Sequence, residues 1–137
     1  MANGIVEEFE VRPGVHYLHH PHHRNQNPNK SQWLVGMPEE RECFGTAHDK
    51  NWIEAHEAWG FLLQDGEPIP LGISADGHFR CKVAKFVDGS RNAHWHGYPA
   101  DHRKTQDSPP VSISRDWLQQ HTIGRHIVRK LMRAEPC

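Results

Sequence analysis

The sequence predicts an α+β fold: an antiparallel β-meander of about four strands, with further strands near the N-terminus, packed against a C-terminal helix or helix pair. Two observations predict it. Asp-Gly dipeptides recur at Asp65-Gly66, Asp76-Gly77 and Asp88-Gly89, eleven and twelve residues apart. Asp-Gly marks tight turns, because Gly accepts positive φ and Asp tolerates it. The last stretch, by contrast, carries Trp117, Leu118, His121, Ile127, Val128, Leu131 and Met132 at helical spacing, an apolar stripe that needs a sheet to pack on.

The strands follow from the runs between the turns. Trp59–Leu63, Ile69–Ile73 and Phe79–Val87 lead into or link the Asp-Gly pairs. In the third run Phe79, Cys81 and Val83 alternate with Arg80 and Lys82, the pattern of a strand with one wet face. Pro68 and Pro70 move the second run toward an edge. Ala93–Tyr98 is the fourth strand. Before the meander, Val6–Val11 and Gln32–Met37 are strand candidates, and His16–Lys30 reads as a polar, histidine-rich loop. Asn51-Trp52-Ile53-Glu54 resembles a helix N-cap with Glu three residues on, so a short helix from Trp52 to about Ala58 is expected. The C-terminal segment, 114–134, is helical, with a break at Thr122–Gly124. The chain, 1–137, is of ordinary single-domain length.

Composition narrows the function classes. The formal net charge is −1, so no bulk field favours nucleic acid or membrane. No apolar run approaches the roughly 18 residues of a membrane span, and Met1–Glu8 has neither the basic start nor the apolar stretch of a secretory signal. Cys43, Cys81 and Cys137 are isolated, which suits reduced thiols in a cytoplasmic compartment rather than a disulfide framework; Cys43 and Cys81 are conceivable nucleophiles without a local partner. Histidine is the outlier, with 13 residues of 137. Imidazole ligates metals and moves protons near neutral pH.

The most concentrated chemistry lies at His94-Trp95-His96-Gly97-Tyr98-Pro99-Ala100-Asp101-His102. On a strand, His94 and His96 share a face, and two imidazoles on one face can hold zinc or a similar divalent ion. Tyr98 continues the face as a binding residue. Asp101 and His102 are the expected catalytic pair, ligand or base and acid/base, should the chain return toward the ion. Such a site suits an activated water, hence a metal-dependent hydrolase or nuclease. The N-terminal tract around His16, His19, His20, His22 and His23 reads as a solvated loop that captures metal adventitiously. Arg125, Arg129 and Arg133 form one basic helix stripe, able to contact an acidic protein partner or, with less support, nucleic acid. On balance, the sequence favours an accessory domain that binds a macromolecular partner.

Two resemblances attach to His94-Trp95-His96, each covering under a quarter of the chain. The order Gly89, His94, His96, Asp101 is similar to the first cupin motif, which implies a small-molecule site; Asp stands where cupins carry Glu, and no second cupin motif follows. The pairing of His94 or His96 with His102 or His121 resembles the small HNH-type nucleases, although the intervening loop departs from their compact unit.

Overall fold

A computed structural model describes residues 6–137, so most of the stretch read for a secretory signal lies outside the described residues. The chain folds as α+β. Its main sheet has six strands: β1 (Glu7–Arg12), β2 (Val15–His19), β4 (Ile53–Glu54), β5 (Glu57–Gly60), β10 (Val83–Val87) and β11 (His94–Ala100), in the spatial order β1-β2-β11-β10-β5-β4. All neighbours are antiparallel except β2 and β11, which run parallel in the register His94↔His16 and Trp95↔Tyr17. No helix is long and apolar enough to cross a membrane among the described residues.

Period-two alternation sorts the sheet into two faces. One carries Tyr17, Trp95 and Phe86, all buried, and is covered by α1 (Met37–Asp49) through Phe44, whose ring lies 5.1–5.4 Å from all three. Fully burying an aromatic or large aliphatic side chain is worth about 1.5–3 kcal/mol, so this cluster dominates the packing of β2 and β11. Gly97 lets the strands close: an added Cβ would lie 2.2 Å from Phe86 Cδ1 and 2.8 Å from the Lys85 carbonyl. The other face carries Glu8, His16, His94, His96, Tyr98, Lys85 and Trp59. It is overlaid at one end by the turn Thr105–Asp107, where Lys85 Nζ donates to the Gln106 carbonyl at 2.7 Å.

The predicted four-strand meander is split. Its first, third and fourth runs supply β5, β10 and β11 of the main sheet. The Pro-flanked second run leaves it: β8 (Gly72–Ile73) pairs with β3 (Gln32–Trp33) and β9 (Arg80–Cys81) in a three-stranded sheet, and β6 (Leu63–Gln64) pairs with β7 (Glu67–Pro68). The first two Asp-Gly pairs turn with Gly66 and Gly77 at φ near +80°. The third also turns, with the Arg91 amide donating to the Asp88 carbonyl at 3.1 Å, but Gly89 takes no positive φ. The buried Asp88 carboxylate also accepts the Ala93 and His94 amides at 2.9 and 3.3 Å, which fixes where β11 begins.

Three expectations are corrected. The first part of the expected loop, His16 to His19, belongs to the strand β2, second from the sheet's edge, and Tyr17 and His19 are buried. The short helix expected from Trp52 is a hairpin, β4–β5, with Ala55 and His56 at φ +53° and +63°. Asn51 is a left-handed residue after a preceding helix, φ +56°, rather than the start of a new one. That preceding helix, α1, carries Pro38 and two glutamates in its first turn, but its inward stripe of Glu40, Cys43, Phe44 and Ala47 begins with a charge, which masks its amphipathy.

The C-terminal segment is helical with the expected interruption: α2 (Val111–Gln119) and α3 (Arg125–Met132) flank a turn in which His121 has φ +54°. These helices pack against the sheet. Trp117 sits edge-on to Trp52 and Phe61 at 5.6 and 5.0 Å, and Trp52 Nε1 donates to Asp116 at 3.2 Å.

Candidate metal centre on the open sheet face

The parallel joint between β2 and β11 brings the two histidine-rich segments side by side. His16 and His94 are register partners, and their rings stack at 4.6 Å with 7° between planes. Beyond β2 the chain turns at Pro21–His23 and lays further imidazoles along β11: His20 stacks on His96 at 4.3 Å, and His23 on Tyr98 at 5.2 Å. The tract expected to be a solvated loop thus supplies a partner to each outward residue of β11. The sequence carries a weak signal for this, since Val15-His16-Tyr17 alternates, but Leu18 and His19 reverse the pattern and the prolyl neighbours obscure it.

At one end of the row, Glu8 joins from β1. Among the described residues, Glu8, His16 and His94 are the one group of three whose candidate ligand atoms all lie within 4.8 Å of one another. Glu8 Oε2 stands 3.1 Å from His16 Nδ1. His94 Nδ1 faces the carbonyl of Asn92 at 3.1 Å and its Oδ1 at 3.0 Å. Carbonyl oxygens only accept, so the proton is assigned to Nδ1 and the lone pair to Nε2. An oxygen partner that sets the tautomer in this way is the usual support of a metal-bound imidazole.

Farther along, burial and the neighbouring rings of His20 and His23 push His96 down to about 4, so it is neutral at pH 7. His20 and His23 are also lowered, chiefly by burial. Tyr98 donates to Asp107 at 2.6 Å; burial and this contact raise its phenol, which stays protonated. His23 and Tyr98 open onto a cleft of about 330 Å³ that Lys30, Lys104 and Asp101 also line.

His94 and His96 therefore share a face, but each pairs with a different imidazole. Asp101 and His102 do not join them. Asp101 is held by Arg103, whose Nε and Nη2 each donate at 2.9 Å, and this holds its carboxyl below the ordinary range. His102 is fully buried against Phe79 and donates from Nε2 to the Glu135 carbonyl at 2.5 Å. Both tie the chain after β11 to its surroundings. The sheet is open, with β1 and β4 as its edges. Cys43 and Cys81 are buried and their thiols pushed up, Cys81 to about 12, which removes thiolate reactivity at neutral pH. Arg125 and Arg129 on α3 and Arg133 at its C-terminal cap are exposed, and among the described residues none of them forms an ion pair. No family model, curated protein or solved structure matches the chain.

The depressed His96 makes a pH prediction. Between about pH 6.5 and about pH 4 the unfolded chain binds a proton at this ring that the folded chain refuses, so stability falls as pH falls through that window. One proton corresponds to at most about 1.4 kcal/mol per pH unit, reduced by solvent at this half-open face. Urea midpoints measured across that range should decline with acidification in the metal-free protein, and His96→Leu should flatten the slope. An unchanged slope would place the titration elsewhere.

Proposed function

We propose that the chain is a divalent-metal-binding domain whose ion is held by Glu8, His16 and His94 on the open face of the sheet. The observation that carries this is the convergence of those three groups, from three different strands, within 4.8 Å. Two imidazoles and a carboxylate are a donor set that zinc and its first-row neighbours accept. With bonds of roughly 2.0–2.1 Å, two ligands of one tetrahedral ion stand about 3.3 Å apart, and the 3.1 Å between Glu8 and His16 is close to that spacing. His94 would bind through the nitrogen turned away from Asn92. A fourth position is left for water, the arrangement from which hydrolytic chemistry begins. The carboxylate of Glu8 is 47% exposed, however, so solvent screens the charges at the ion, and the geometry favours binding over catalysis.

Equilibrium dialysis against Zn²⁺, with elemental analysis of tag-free protein, tests the proposal. Glu8→Gln, His16→Ala and His94→Ala should each remove one ion per chain, with at least a tenfold loss of affinity. Undiminished zinc in all three variants would contradict it.

A macromolecular partner is a second reading, favoured by the unpaired guanidinium row on α3. Exposed charges of this kind act mainly through long-range attraction, which salt screens. Binding to an acidic polypeptide such as polyglutamate should weaken with added salt and weaken further in Arg125→Ala/Arg129→Ala. Equal binding by that variant would leave the row as a solvated face.

A further inference from the structure

We propose that His20 and His96, with His22 beside them, form a second transition-metal site on the same face, separate from the one at Glu8, His16 and His94. The face holds more imidazole than one ion uses. His16, His23 and His94 each have an oxygen within contact distance of Nδ1. His20, His22 and His96 have none: among the described residues no protein group hydrogen-bonds to any of their ring nitrogens. These are unspent donors gathered in one place, with His20 stacked on His96 at 4.3 Å and on the other side 6.1 Å from His22. His20 and His96 are half-buried and His22 is exposed.

The chemistry of the set decides the ligand. Imidazoles without a carboxylate suit borderline-soft late first-row divalent ions (zinc, nickel, copper) and not magnesium or calcium, which need oxygen. The rings of His20, His22 and His96 would turn about their side-chain bonds to present nitrogens to the ion, and His22 sits on the turn Pro21–His23, two residues from His20.

Spacing decides the relation between the two sites. His94 and His96 are two residues apart on one strand, so their backbone anchors are roughly 7 Å apart. Each ring is also engaged with a different partner, His16 and His20 respectively. A two-metal hydrolytic centre needs its ions about 3.5–4 Å apart with bridging ligands. Two mononuclear sites fit this face better than one bridged pair, which makes it a surface that loads metal.

The test counts zinc per chain by equilibrium dialysis at low micromolar free Zn²⁺ in the wild type, His94→Ala, His96→Gln and the double variant, with Zn²⁺ alone as the probe. Wild type should retain two ions, each single variant one and the double variant none. Histidine ring ¹⁵N spectra of the unsubstituted protein provide a reading that does not depend on variants folding: zinc should shift His20, His22 and His96 as a set distinct from His16 and His94. One ion in the wild type, lost with His94→Ala, would overturn the second site and leave the first. Two ions of which neither is lost in His96→Gln would also overturn it. An ion that survives His94→Ala, disappears in His96→Gln and perturbs only the His20 set would keep the second site and overturn the first.

Discussion

A carboxylate with almost no surface left to water has to be surrounded by donors, and Glu40 on α1, 1% exposed, is the one around which this protein closes. Tyr17 donates its hydroxyl to it. Arg24 donates to it from Nε and Nη2, at 3.2 and 2.8 Å, and from Nη1 to the Val35 carbonyl at 3.0 Å. His19 Nδ1 lies 3.1 Å away without forming a hydrogen bond, and Arg41 donates to the opposite ring nitrogen at 3.0 Å. One helix position thus holds Tyr17 of β2 and the start of the following loop, with His19 packed beside it. Removing Arg24, the cation of this set, costs about 3–5 kcal/mol, because the buried carboxylate of Glu40 is left without a paired charge.

The functional face depends on this anchorage through simple alternation. Tyr17 and His19 point toward α1, so His16 must point the other way, and parallel pairing with β11 sets it against His94. That joint is narrow, with two register pairs and the bond from the His16 amide to the Ala93 carbonyl at 2.8 Å. It is secured at the start and in the middle of β11. Asp88 fixes the first residues, and Gly97 allows the close approach of Phe86. An ion held by Glu8, His16 and His94 would clamp β1, β2 and β11 together, so metal binding and the stability of this half of the sheet are linked.

Much of this was legible in the sequence, for reasons that differ by region. The strands β5, β10 and β11 and the broken C-terminal helix are written in local periodicity and turn chemistry, and the first two Asp-Gly pairs behave as Gly-dependent turns. The common face of His94 and His96 follows from the same periodicity. What was not legible rests on contacts between distant residues. Asn51 looks like a helix start and is the cap of a helix already finished. Asp101 and His102 lie next to the site in sequence, but Arg103 and the Glu135 carbonyl claim them. The tract His16–His23 reads as solvated loop because its polar residues are those a loop would carry. Contacts with distant residues, Phe44 and Glu40 on α1 and the pairing with β11, make a strand of its first part. Three of the imidazoles facing β11 come from this tract, so the site was half visible in the sequence: the residues on β11 and none of their partners.

The open face rests on β2 being a strand of the sheet before any metal binds, which native-state amide hydrogen exchange of the metal-free protein reads residue by residue. The His16 amide, bonded to the Ala93 carbonyl, should be protected to nearly the same degree as the amides of Lys85 and Phe86, which lie between two paired strands. Exchange of His16 as fast as that of the exposed Asn25 would make the tract a loop and remove the strand on which the face is built.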